Sequence, residues 1–186
     1  MSVPIVPQHV TDETVVRKYG KHVCFRKYQM PDGRVEDFLC LLANVVPVIG
    51  MPVTNSGNVV LVRQFRYAVD GFVYEFPGGC PEPGDSPEET FRRELDEEIG
   101  YACNGEVHRL SEPMPFEPAS LGAKYQAVLA TGCVYRHAPK PDPNEFVETV
   151  EMPLDEFIAR SRNGSLPIDS KTAAITFFAL PLLDRF

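Results

Sequence analysis

Apolar side chains gather along this chain in short clusters rich in β-branched and aromatic residues, separated by turn formers. "HVCFRKYQM" and "VEDFLCLLA" flank Pro31-Asp32-Gly33 and predict a hairpin. "VVPVIGMPVT" and "NVVLVRQFRY" form a second pair across Asn55-Ser56-Gly57, and "GFVYEF" then runs into Pro77-Gly78-Gly79. Further strands are expected at "EVHRL", "AKYQAVLATGCVYR" and "FVETVEM". A short helix is expected near "LDEFIARSR", and a last one in "DSKTAAITFFAL", ending before Pro181. Strands and helices without regular βαβ alternation place the chain in the α+β class, with helices covering the faces of a mixed sheet.

The helix with the clearest ends lies between them. Ser86 at the N-cap, Pro87 in the first helical position and Glu89 two residues on form a capping box, and Gly100 supplies the stop, so the helix is predicted over 87–99. At about 100° per residue, Phe91, Leu95 and Ile99 fall on one apolar stripe. Glu94 and Glu98 border that stripe, and Glu97 lies towards the more exposed side. Glu88 with Arg92 and Glu89 with Arg93 have the spacing of favourable i,i+4 pairs.

Acids in the last two turns have the wrong sign for the helix dipole, and like charges four apart cost a few tenths of a kcal/mol per pair. A hard divalent cation reverses that sign, because Mg²⁺ combines one or two carboxylates with water and substrate phosphate. A solvated charged face is the alternative for such a run.

Bulk properties narrow the function. The 186 residues suit one domain, or one domain with a small N-terminal extension. A formal charge of -8, from 26 acids against 18 bases, argues against a nucleic-acid backbone as the main partner. No apolar run reaches the ~20 residues of a membrane span, and "MSVPIVPQHV" lacks the features of a signal peptide, so a soluble, cytoplasmic protein is expected. The five cysteines are odd in number and widely spaced, which reads as reduced thiols; with four scattered histidines they give no zinc pattern. Neither a dinucleotide-binding glycine fingerprint nor a Walker phosphate loop is present.

From Gly79 to Tyr101 the chain reads G-C-P-E-P-G-D-S-P-E-E-T-F-R-R-E-L-D-E-E-I-G-Y. This resembles the Nudix box, G-x5-E-x7-R-E-U-x-E-E-x-G-U with U apolar; Asp85 stands where the box has Glu. The resemblance implies a Nudix hydrolase, an α/β/α sandwich whose box binds two or three Mg²⁺ or Mn²⁺ ions and cleaves a nucleoside diphosphate linked to another group. It implies Glu94 and Glu98 as metal ligands, Glu97 as a ligand or a supporting group, the Gly78 carbonyl as a further oxygen, and Arg93 as the side chain that orients the glutamates.

"VVLVRQFRYAVDGFVYEFPGG" and "NEFVETVEMPLDEF" resemble segments of the ADP-ribose pyrophosphatase type. They imply Arg66 on substrate phosphate or ribose, Glu75 near the metals, and Glu145 activating water, with Glu98 and Glu97 as alternatives. "EPMPFEPASLGAKYQ" departs from that type in lacking its Glu, which leaves the sugar open. With no Trp in the chain, Phe25 and Tyr28 are the candidates for stacking on a base.

Residues 1–43 are read as an N-terminal β-strand region and 44–186 as the hydrolase domain, and the resemblance implies a homodimer that exchanges N-terminal strands. The expected partner is a nucleoside diphosphate-linked small molecule. The competing reading is a non-catalytic Nudix-fold binding or regulatory protein; retention of all the box carboxylates favours the enzyme.

Overall fold

The structure is a computed structural model that describes residues 6–18, 21–139 and 147–183. It divides into two compact units, residues 1–46 with 115–124, and residues 47–114 with 125–186.

In the first unit, β1 (Gln8–Lys18), β2 (Lys21–Gln29) and β3 (Val35–Ala43) form an antiparallel ladder. The β2–β3 hairpin is the one predicted, with Gly33 at φ 87 and its N–H donated to the Met30 carbonyl. Leu121 pairs in parallel with Leu41 of β3. Every residue of β1 is exposed, so no buried face imposes an alternation, and the apolar pattern does not announce this strand.

The second unit contains β4 (Val48–Thr54), β5 (Asn58–Arg66), β6 (Gly71–Glu75), β7 (Gly78–Gly79), α1 (Pro87–Ile99), β8 (Tyr101–Cys103) and β9 (Val107–Arg109). β10 (Met114–Glu117) lies almost wholly in the first unit, as do residues 121–124 of β11 (Leu121–Tyr135); the rest of β11, β12 (Val147–Pro153), α2 (Leu154–Arg162) and α3 (Ser170–Leu183) complete the second. Its strands run in the order β11-β4-β5-β12, with β11 parallel to β4 and the other neighbours antiparallel. β6 pairs with β5, β7 with β4, and both β8 and β9 with β11.

Alternation divides the side chains of this sheet between two cores. Val48, Val60, Val62, Val128 and Ala130 pack with Phe91, Leu95 and Ile99 of α1. Met51, Val59, Leu61 and Leu129 are equally buried outside that cluster, as are Phe157 of α2 and Ile175 and Ala179 of α3. A strand buried on both faces reads as a continuous apolar run, which is what "VVLV" of β5 shows.

Two expectations need correction. α3 does not end before Pro181 but carries it in its last turn. The ring removes the N–H that would reach the Phe177 carbonyl, and with only two helical residues after it there is little helix left to displace. The expected Glu88–Arg92 and Glu89–Arg93 pairs of α1 do not form either. Glu88 pairs with Arg109 and Glu89 closes the capping box, while Arg92 donates to the carbonyls of Cys103 and Gly105. Exposed i,i+4 pairs contribute only ~0.3 to 0.5 kcal/mol, so partners fixed by the fold displace them readily.

Candidate active site

α1 has the predicted limits for the predicted reasons. Ser86 Oγ accepts the Glu89 N–H at 3.2 Å, and Glu89 Oε2 accepts the Ser86 N–H at 2.9 Å. Gly100 adopts φ 70 in the left-handed region and returns its N–H to the Asp96 carbonyl. No basic residue occupies the last turn; the cation that serves it from within the helix is Arg93, which reaches Glu97 from one turn back. Phe91 lies over Gly50, where an added Cβ would come within 2.6 Å of the ring.

This docking aims two carboxylates at β7. Glu98 Oε2 accepts the Gly78 N–H at 2.9 Å. The Glu94 carboxyl carbon lies 2.2 Å from where a Cβ on Gly79 would sit. A Cβ on Gly78 would stand 2.2 Å from the Val48 carbonyl oxygen. Gly78 is therefore required by the sheet backbone, whereas a side chain at Gly79 would push the Glu94 carboxylate from its present place.

Arg93 ties the box together. Its Nη1 donates to Glu94 Oε1 at 2.9 Å and to Glu97 Oε2 at 3.1 Å, and Nη2 donates to the Cys80 carbonyl at 2.8 Å. Its Nε lies 3.7 Å from Asp85 Oδ2, an ion-pair distance but not a hydrogen bond. Glu97, on the outer side as expected, is 60% exposed against 16% for Glu94.

Arg66 and Glu75 meet across the β5–β6 hairpin in a two-pronged pair, Nε to Oε1 at 2.7 Å and Nη2 to Oε2 at 2.6 Å. Hydrogen bonding to Glu75 is the main reason the Arg66 guanidinium is held above its usual pKa; burial opposes it, and Asp169 and Glu98 add to it through space. Sequence reasoning missed Asp169 and Lys171. Lys171 forms an ion pair with Asp169 and lies 3.7 Å from Glu75 Oε2. The only signal was Asp169-Ser170-Lys171-Thr172, a helix start with a cation in its first turn.

Phe25 and Tyr28 belong to the first unit. Tyr28 packs edge-on against His9 and Phe38 there, and Phe25 is partly exposed. Glu145 lies outside the described residues.

Could this set hold a metal? Among the described residues no three Asp, Glu, His or Cys side chains form a closed metal-binding group. Mg²⁺ does not need one, since one or two carboxylates with water and phosphate suffice. Glu94 and Glu98, two hard oxygen donors converging on a glycine strand with no side chains to crowd them, fit a hard divalent ion.

A mixed sheet with helices over its faces and an acidic helix end against a glycine strand defines the class, and the NUDIX domain matches residues 44–171. The chain belongs to the NUDIX domain family. Among individual proteins it is similar to the ADP-sugar pyrophosphatase of Mus musculus, 31% identical over 188 residues that cover 89% of this chain and 84% of that protein. It is also similar to the ADP-ribose pyrophosphatase of Bacillus subtilis, 31% identical over 134 residues, 70% of each chain. A crystal structure of an ADP compounds hydrolase matches with a TM-score of 0.83 over 99% of this chain and 97% of that one; at 19% identity this likeness bears on the fold. No helix among the described residues is long and apolar enough to cross a membrane.

Proposed function

We propose that this chain is a metal-dependent pyrophosphatase that cleaves the diphosphate linkage of ADP-ribose or a nucleotide sugar, giving a nucleoside monophosphate and a sugar phosphate. The observation that carries this reading is the convergence of Glu94 and Glu98 on Gly78 and Gly79, with Arg93 gripping Glu94 and Glu97 from the outer side. The relatives named for ADP-sugar and ADP-ribose hydrolysis support the substrate class.

A diphosphate bridge repels an incoming hydroxide, so hydrolysis needs neutralised charge and an oriented water. Bound Mg²⁺ or Mn²⁺ would supply positive charge and a more acidic water. Glu94 and Glu98, with the Gly78 carbonyl, would hold it; Arg93 keeps the glutamates in register. Arg66 would offer a cation to a phosphate oxygen, and Glu75, which holds it by two hydrogen bonds, would be a further oxygen donor near the ion. Glu145 is the proposed proton acceptor, with Glu98 and Glu97 as alternatives.

The test is product release from ADP-ribose and a panel of nucleotide sugars with Mg²⁺, comparing wild type with Glu98→Gln. Glutamine can still accept the Gly78 N–H, so the fold should persist while turnover falls by about 10²-fold or more. Equal rates in the two proteins, or no turnover of any member of the panel by wild type, would contradict the reading.

A further inference from the structure

The wide spacing of the cysteines along the chain hides how the sheets arrange them. Four of the five meet in two cross-strand pairs: Cys24 stands directly opposite Cys40 in the β2–β3 ladder, and Cys103 directly opposite Cys133 in the β8–β11 ladder. All are free thiols. Residues opposite one another in an antiparallel ladder have Cα atoms about 4.5 to 5.5 Å apart, within the range of about 4.4 to 6.8 Å that a disulfide spans.

The two pairs differ in register. In the β8–β11 ladder the Asn104 N–H donates to the Gly132 carbonyl at 3.2 Å and the Arg136 N–H to the Gly100 carbonyl at 2.8 Å. Alternation from either bond puts Cys103 and Cys133 at a non-hydrogen-bonded position, where facing side chains come closest. In the β2–β3 ladder the Met30 N–H donates to the Arg34 carbonyl at 2.7 Å, and the unbroken register puts Cys24 and Cys40 at a hydrogen-bonded position, where they stand further apart.

Their surroundings differ as well. Hydrogen bonding from the Cys133 thiol is the main reason Cys103 is held below the ordinary thiol pKa; burial opposes it, and the charge of Arg92 adds to it. Arg92 is fixed there by its bonds to the Cys103 and Gly105 carbonyls. The same bond, and then burial, push Cys133 up. Cys24 is also pushed up, first by burial and then by the charge of Asp12. Cys103 is 9% exposed and Cys133 1%, so an oxidant meets Cys103 first. Its strand has three residues and pairs among the described residues with β11 alone, an edge that opens locally at small cost. Gly105 and Thr131, whose carbonyls touch the Cys103 sulfur, line a cavity of about 470 Å³.

We propose that Cys103 and Cys133 form a reversible oxidation site, with Cys103 as the attacking thiol, Cys133 as the resolving thiol and a peroxide as the oxidant. The Cys103 thiolate attacks one oxygen of hydrogen peroxide; the O–O bond breaks, hydroxide leaves and a sulfenic acid forms. The Cys133 sulfur then attacks that sulfur, the S–S bond replaces the S–O bond, and the hydroxyl leaves as water with the Cys133 proton. Two thiols are oxidised by two electrons and the peroxide is reduced to two waters. The bridge ties β8, the strand that follows α1, to β11, and a thiol reductant reverses it. The site is independent of the pyrophosphatase reading.

The experiment treats the reduced full chain with hydrogen peroxide under native conditions, blocks the remaining thiols with iodoacetamide after unfolding, and maps the peptides by mass spectrometry. The number of blocked thiols should fall by two, with Cys103 joined to Cys133 within one chain, and dithiothreitol should restore both. Oxidation should raise the melting temperature by about 5 to 10 °C, because the bridge closes the 103–133 loop. Cys133→Ala should form no bridge and leave on Cys103 a sulfenic acid that a dimedone probe traps, whereas Cys24→Ala should bridge as wild type does. The wild-type peptide map decides the matter even if an alanine in the core prevents folding. Five thiols still blocked after peroxide, a Cys24–Cys40 bridge formed ahead of Cys103–Cys133, or the same rise in melting temperature in Cys103→Ala would overturn the proposal.

Discussion

Arg93 makes its contacts with Glu94, Glu97 and Cys80 through its two terminal nitrogens, which leaves Nε as a buried polar atom without a hydrogen-bond partner among the described residues. The nearest carboxylate oxygen is Asp85 Oδ2 at 3.7 Å, and it already accepts the Glu82 N–H at 3.2 Å. The departure from the box motif at this position thus has a geometric meaning: the side chain is one methylene too short. Asp85→Glu should close the gap and stabilise the fold by about 0.5 to 1 kcal/mol, a modest figure because both partners are roughly a quarter exposed. The check is the urea midpoint at constant slope. A midpoint that stays put or falls would show that Nε gains nothing from a longer acid.

At the level of elements, α1 was legible because all of its determinants are local. The capping box, Pro87, the Phe91, Leu95 and Ile99 stripe and Gly100 lie within one short segment and agree with one another. The stripe is fully buried, and Phe91 fits over the space left at Gly50, a partner that no helical pattern could have named. Phe91→Ala should therefore cost ~3 to 5 kcal/mol. Chemical denaturation would measure it, and an unchanged midpoint would mean that the ring is not the keystone of this core. Other elements were less legible. β1 is exposed throughout, so burial imprinted no alternation on it. The end of α3 was misplaced because a proline at a helix terminus disrupts far less than one in the interior.

Across the whole molecule, the candidate site draws on segments widely separated in the chain. Glu94 and Glu98 come from α1, Arg66 and Glu75 from the β5–β6 hairpin, and Asp169 and Lys171 from the start of α3. The box residues could be read from sequence because their spacing is itself the signal. The third contribution could not, since Lys171 meets Glu75 only after the Tyr74 and Phe76 amides have bound the segment that leads into α3. The proposed reading is consistent with the charge balance on the same scale: a chain of net charge -8 would bind a phosphate-bearing ligand only where cations and a divalent ion collect at one place.

The central claim is that Glu94 and Glu98 are placed against a glycine strand to hold that ion. Titration of Mn²⁺ into the protein, followed by the loss of the free ion's paramagnetic resonance signal, addresses it without any assumption about substrate. Wild type should take up Mn²⁺, and Glu94→Gln with Glu98→Gln together should weaken uptake at least about tenfold while leaving the melting temperature near its original value. Equal uptake by the two proteins, or none by wild type, would contradict the account.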